Sequence, residues 1–209
     1  NITLEAGANI SAAGRGNNSG GGTVALLADN NAVARTGAVV NTSAGTTGNG
    51  GFIEFSAKKN VELAGGQFRA SASSGTAGTV LIDPTDLVIS ANYNSVGTNH
   101  VLSAPQGSIT INPGVAVSTR HVAGDATANQ LTANSTGSSG NLTLQASQIT
   151  LGTGSQVVAH ATPGFNAGNV IIEATRAPGN SVDFPFLPIN GGGVASVSAN
   201  GAVIRGGTV

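Results

Sequence analysis

The sequence predicts an all-β protein, a parallel β-helix in which about seven coils of one elongated domain stack on one another. Three observations predict it. A Gly followed by two aliphatic residues one apart returns along the chain: Gly22-Thr-Val24-Ala-Leu26, Gly51-Phe-Ile53-Glu-Phe55, Gly78-Thr-Val80-Leu-Ile82, Gly107-Ser-Ile109-Thr-Ile111, Gly140-Asn-Leu142-Thr-Leu144, Gly168-Asn-Val170-Ile-Ile172 and a weaker Gly201-Ala-Val203. The steps between these glycines are 29, 27, 29, 33, 28 and 33 residues, a near-constant period of the size that stacked repeats show. Helical spacing is nearly absent, because no segment carries apolar residues at helical intervals over three turns without an intervening Gly.

Each repeat reads as one turn of a coil. Its first strand is the Gly-led triplet, with the period-two alternation of a strand sending Leu142 and Leu144 to one face and Thr143 to the other. The opening Asn1-Ile2-Thr3-Leu4 reads as a copy that lacks its Gly. A second apolar strand follows about ten residues on, as Val61-Glu-Leu63, Leu87-Val-Ile89, Val115-Ala-Val117 and Ile149-Thr-Leu151. Part of a third appears at Gln67-Phe68 and Val157-Val158. Between them lie clusters of turn residues such as Ala44-Gly-Thr-Thr-Gly-Asn-Gly50 and Ser135-Thr-Gly-Ser-Ser-Gly140. The Gly before each first strand implies a corner that needs positive φ or a close backbone approach. Each inward Val, Leu or Ile contributes roughly 1.5 to 3 kcal/mol. Neighbouring coils bury one another's inner faces, so no single coil is expected to fold alone.

Residues 1–175 carry this pattern, and 176–209 read as an irregular loop and a final weak coil of the same domain. The loop is Arg176-Ala-Pro-Gly-Asn-Ser-Val-Asp-Phe-Pro-Phe-Leu-Pro188, with Phe184 and Phe186 either packed back on an outer face or forming a protruding apolar contact. The longest steps, from Gly107 to Gly140 and after Gly168, are where extra loops are expected. They supply the candidate binding loops, carried by Arg120, His121, Asp125, Asn134, Phe184 and Phe186.

Composition excludes several classes. Gly fills 32 of 209 positions and charged residues only 8%. The 39% hydrophobic content, set in alternating triplets, argues against disorder. A net charge of −1 leaves no electrostatic footprint for nucleic acid. No apolar run approaches the roughly 18 to 20 residues that span a bilayer, so no membrane insertion is expected. The absence of Cys excludes disulfides, thiolate metal sites and a cysteine nucleophile. The absence of Met predicts an internal segment of a longer chain.

The Gly-led triplets, the small polar corners and the segment Gly78-Thr-Val-Leu-Ile-Asp-Pro-Thr-Asp-Leu-Val-Ile89 resemble the exoproteins of two-partner secretion systems, the filamentous-haemagglutinin-like adhesins of Gram-negative bacteria. Ile2-Thr-Leu-Glu-Ala-Gly-Ala-Asn-Ile10 is similar to their generic coil. The resemblance covers roughly residues 1–175. It implies a right-handed coil, export through a dedicated outer-membrane partner pore, an extracellular or cell-surface location, and a role in adhesion, aggregation or biofilm formation with host-cell or matrix glycans or proteins as partners. The Asn-Pro-Asn-Gly motif of the family's secretion domain is reduced here to Asn112-Pro-Gly114, which places the secretion signal elsewhere.

Polysaccharide lyases and hydrolases also use parallel β-helices, and they need clustered carboxylates for calcium or acid/base work. The close pair here is Asp83-x-x-Asp86, and Pro84 between them marks a corner that both acids are expected to cap. Glu54 and Glu62 fall on outward positions with Lys58 and Lys59 between them, a solvated ion-pair patch. His100, His121 and His160 read as separate surface histidines. Gly20-Gly-Gly22 lacks the strand-to-helix context of a phosphate loop. Thr3, Thr110, Thr143 and Thr150 are outward, but Ala25, Glu54 and Ile171 interrupt any regular rank of the kind that binds ice. Asn-x-Ser/Thr sequons begin at Asn1, Asn17, Asn41, Asn134 and Asn141. The reading is a non-enzymatic adhesive or spacer segment with no catalytic residue, cofactor or metal, and its alternative is a polysaccharide-binding surface of a biofilm-matrix protein.

Overall fold

The structure, a computed structural model, describes residues 1–122 and 134–174, and beyond them the backbone of three strands. Among the described residues every regular element is a strand, and no helix is long and apolar enough to cross a membrane. The first strands are β1 (Ile2–Leu4), β2 (Asn9–Ser11), β3 (Thr23–Ala28), β4 (Asn31–Arg35) and β5 (Val39–Asn41). There follow β6 (Phe52–Ala57), β7 (Asn60–Ala64), β8 (Gln67–Arg69), β9 (Thr79–Ile82), β10 (Asp86–Ile89) and β11 (Tyr93–Asn94). The middle of the chain holds β12 (Asn99–Ile111), β13 (Ala116–Ser118), β14 (His121–Val122), β15 (Ser135–Gly137), β16 (Leu142–Leu151) and β17 (Gln156–Val158). The last are β18 (Val170–Ala174), β19 (Ser181–Asp183), β20 (Ala195–Ala199) and β21 (Val203–Arg205).

Strands pair with the strand one repeat away, in parallel, and not with their sequence neighbours. One ladder joins β3, β6, β9, the first half of β12, the first half of β16, β18 and β20. A second joins β1, β4, β7, β10 and the second halves of β12 and β16. Because β12 and β16 run through both ladders, the two merge into one thirteen-stranded parallel sheet, with a register irregularity between Ala104 and Ser108. Two three-stranded parallel sheets stand apart from it, β2-β5-β8 and β11-β13-β17. Among the described strand pairs, β14 with β15 alone is antiparallel.

The pairing corrects four sequence assignments. Asn1-Ile-Thr-Leu4 and the Gly107 phrase belong to the second ladder, where Ile2 faces Ala32 and Ile109 faces Leu87 and Ile149. Val115-Ala-Val117 belongs to the smaller sheets, where Val117 faces Tyr93 and Val157. The Gly201 phrase pairs with β19 and not with the first ladder. The physical reason is shared. Alternation is the same on every face, so parity tells in from out and does not tell one ladder from another. The first-ladder rung after β9 is Asn99-His-Val-Leu102, which has no leading Gly. The steps along that ladder are therefore more uneven than the glycines suggest: Thr79 pairs Asn99, twenty residues on, and Val101 pairs Thr143, forty-two on.

Inward residues form columns of like side chains. Val24, Ile53, Val80, His100, Leu142 and Val170 follow one another in register, all buried. Ala32, Val61, Leu87, Ile109 and Ile149 form another column. Rings line the interior between them, with Phe55, Phe68, Tyr93 and His100 in sequence at centroid spacings of 5.2, 6.0 and 4.9 Å. The Gly that leads most first-ladder strands is there for close approach, since a Cβ on Gly51 would run into the Gly22 carbonyl oxygen and one on Gly78 into that of Gly51. None of these leading glycines has a positive φ.

Asn side chains carry the ladders around the corners. The Asn1 Oδ1 accepts the Asn31 N–H at 3.1 Å, and the Asn60 Nδ2 donates to the Asn31 Oδ1 at 2.9 Å. On another corner the Asn141 N–H donates to the Asn99 Oδ1 at 3.0 Å, and the Asn169 N–H to the Asn141 Oδ1 at 2.9 Å.

Candidate functional site

The forty-two-residue step leaves the sheets beyond β13. Ser118, Thr119 and Arg120 are buried as the chain turns out. Thr119 ties three repeats together: its N–H donates to the Val158 carbonyl, its carbonyl accepts the Gly97 N–H, and its hydroxyl donates to the Gly140 carbonyl. Then β14 runs out and β15 returns antiparallel beside it, His121 facing Gly137 and Val122 facing Ser135.

His121 is the centre of what this turn builds. Its ring lies in a slot between two glycines: a Cβ on Gly97 would come within 3.1 Å of the His121 Cγ, and one on Gly137 within 2.9 Å. The His121 Nδ1 is 3.0 Å from the Thr136 Oγ1. Gly97 has φ +66° and Val96 before it +44°, an unusual conformation for a β-branched residue. An Asx-type bond holds that corner, the Val96 N–H donating to the Asn94 Oδ1 at 2.8 Å. Val96 and Val122 form a small apolar cluster of their own beneath it.

A cleft of about 350 Å³ opens beside the His121 ring. Four successive repeats line it: the segment 72–77 from one, Gly97 from the next, His121 and Thr136 to Ser139 from the third, and Phe165 from the fourth. Phe165 is 43% exposed, whereas Phe55 and Phe68 are fully buried. It ends a Pro163-Gly164 turn closed by its N–H on the Thr162 carbonyl. The Ser138 hydroxyl accepts the Asn166 N–H and the Ser139 hydroxyl donates to the His160 carbonyl, so this wall is braced by the following repeat.

Burial lowers the pKa of His121, partly offset by a hydrogen bond with its own backbone, so its imidazole is neutral at pH 7. Burial lowers that of His160 too, and the charge of the nearby Arg120 adds to the effect. Arg120 is 1% exposed and its own pKa is lowered by burial, so it presents almost no surface to solvent, and it does not line the cleft. Asn134 is exposed just ahead of β15 and does not line the cleft. Asp125, Phe184 and Phe186 lie outside the described residues.

Elsewhere the expected clusters resolve into corner contacts. The Asp86 Oδ1 accepts the N–H and hydroxyl of Ser108, at 2.8 and 2.7 Å, across to the next repeat. Asp83 is exposed, and its N–H donates to the Ser56 hydroxyl. Lys58 pairs with Asp29 at 2.5 Å and not with Glu54 or Glu62, and the Glu62 carboxylate accepts the Ser90 hydroxyl. His100 is not a surface histidine: it is 1% exposed, in an inward column, and packed at a tilt against the Tyr93 ring. Among the described residues no three His, Asp or Glu side chains converge on a point that could hold a metal.

Sequence reasoning pointed to the long step and to His121. It missed Phe165 and the slot. The signal for Phe165 was present, since an aromatic residue directly after Pro-Gly ends a tight turn and has little chain around it to bury it. The slot carried no signal, because Gly97 and Gly137 approach His121 from repeats forty residues apart. Comparison with family models, with curated proteins and with solved structures finds no match to this chain.

Proposed function

We propose that the chain is a non-enzymatic, adhesive or spacer segment of a secreted bacterial surface exoprotein of the two-partner secretion type. In this reading the ladders are the faces of a right-handed parallel β-helix of about seven turns. The coil acts as a stiff rod outside the cell and promotes attachment, aggregation or biofilm formation. The observation that carries it is the pairing pattern. Strands pair in parallel one repeat apart, about 20 to 42 residues, around continuous columns of apolar side chains. Asn and Gly corners let successive repeats stack in contact. The engagement of Asp86 with Ser108 supports a corner role for that acid over bond cleavage.

Beads coated with the chain test the adhesive role. They should attach to cultured epithelial cells or to bacterial aggregates well above albumin-coated beads, and attachment no better than albumin would overturn it. The second reading is a polysaccharide-binding surface on the same scaffold, favoured by the exposed Phe165 beside a polar cleft. Turnover of pectin or alginate that vanished in Asp83→Ala, Asp86→Ala would replace both readings with a lyase or hydrolase.

A further inference from the structure

We propose that the cleft at His121 is a binding site for an uncharged saccharide of one or two rings. The proposal deepens the reading of the chain as a surface-binding segment and names the chemistry of what this site takes. Its volume, about 350 Å³, lies at the lower end of small-molecule sites, which run about 300–1,000 Å³. Among the described residues the side chains around it are those of Ala, Ser, Thr, His and Phe, with no carboxylate, amine or guanidinium. A charged ligand would enter without a counter-charge, so the walls select a neutral one.

The lining also carries both kinds of group that a sugar ring meets. Phe165 offers a flat apolar face, against which the C–H face of a pyranose stacks. The same lining holds the His121 imidazole and the hydroxyls of Ser73 and Thr136, groups that donate and accept as sugar hydroxyls require. The His121 Nδ1 is fixed by Thr136, which leaves Nε2 as the ring's remaining polar atom. A solitary exposed Phe is unremarkable on a protein surface. This one adjoins a ring clamped between two glycines and a corner held at positive φ by Val96, a conformation that costs energy and is kept where the surroundings over-determine it. Four repeats supply the walls, so the site exists only while they remain stacked.

The experiment is a titration of the full chain, followed by ligand-observed NMR and calorimetry. Cellobiose, lactose, maltose and N,N′-diacetylchitobiose are the neutral probes, and digalacturonate is the charged control. The expected result is saturable binding of at least one neutral probe, with digalacturonate at least tenfold weaker by the absence of a counter-charge (about 1.4 kcal/mol). Phe165→Ala and His121→Ala should each weaken it about tenfold. Phe165 is exposed, so its removal should leave the circular dichroism unchanged. Gly137→Ala, which displaces the imidazole, should also abolish binding. The proposal is overturned if no neutral probe binds up to about 10 mM, or if binding persists unchanged in Phe165→Ala. It is overturned equally if digalacturonate binds as well as the neutral probes, or if the cleft proves to be filled by a second copy of the chain, seen as dimerisation lost in Phe165→Ala. Any of these outcomes with bead attachment intact removes the saccharide site and leaves the adhesive reading standing, whereas loss of attachment with disaccharide binding retained does the reverse.

Discussion

His100 occupies a place in the inward column where the neighbouring repeats put Val80 and Leu142. Among the described residues neither ring nitrogen finds a partner, and burial lowers its pKa from the ordinary 6.5 to about 3. The folded state therefore prefers the neutral ring more strongly than the unfolded chain does. Stability from this preference is complete above pH 6.5 and is lost as pH falls towards 3. A shift of this size corresponds to at most about 5 kcal/mol. His100→Leu should flatten the acid limb of a urea-denaturation series between pH 6.5 and 4 and raise stability at neutral pH. An unchanged acid limb would place the sensitivity elsewhere. Tyr93→Phe, which removes a buried hydroxyl that has no partner among the described residues, should be neutral or slightly stabilising. None of this was legible at position 100, because the Gly107 phrase supplied a plausible rung and drew attention from the true one.

At the scale of the strand and its corner, each ladder has its own leader. Gly precedes most first-ladder strands, and Asn1, Asn31, Asn60, Asp86 and Ser108 precede or open the second. The leaders do different things: Gly admits the adjacent backbone, while an Asx side chain extends the hydrogen-bonded ladder past the end of the strand. Asn141→Ala removes the acceptor for the Asn169 N–H and should cost about 1 kcal/mol. Asn141→Asp keeps an oxygen there and should cost less, as thermal melts of the two variants would show. Strand existence was legible from alternation alone, since a buried face imposes its period on the sequence. Ladder membership was hidden in the leaders, where Gly and Asn both also serve as ordinary turn residues. The cleft was half legible: loop length located it, but its glycine slot depends on contacts between distant repeats.

For the whole molecule, the columns make each repeat the lid and floor of its neighbours. A charge in one column is therefore felt by two repeats. Leu142 is fully buried between His100 and Val170, so Leu142→Asp should destabilise by about 4 kcal/mol or more. Hydrogen exchange should then lose protection in β12 and β18 together with β16, and protection lost in β16 alone would mean that the ladders are independent. All-β character was legible at this scale because Gly-rich composition and period-two alternation leave no room for a helix. Which strands share a sheet was not, because β12 and β16 cross a corner that the other repeats break with Asp29-Asn30 or Lys58-Lys59.

The antiparallel return of β15 along β14 has a consequence for chain insertion. Val122 and Ser135 face each other, so the chain leaves and re-enters the scaffold at nearly one point. A segment of any length grafted between those strands meets ends already brought together, and each doubling of its length should cost only about 0.6 kcal/mol in closure entropy. Replacing residues 123–133 with a peptide epitope or a small folded domain should leave the melting temperature within a few degrees. By that measure the position is a natural port for cargo, open to engineering without disturbing the sheets that carry it.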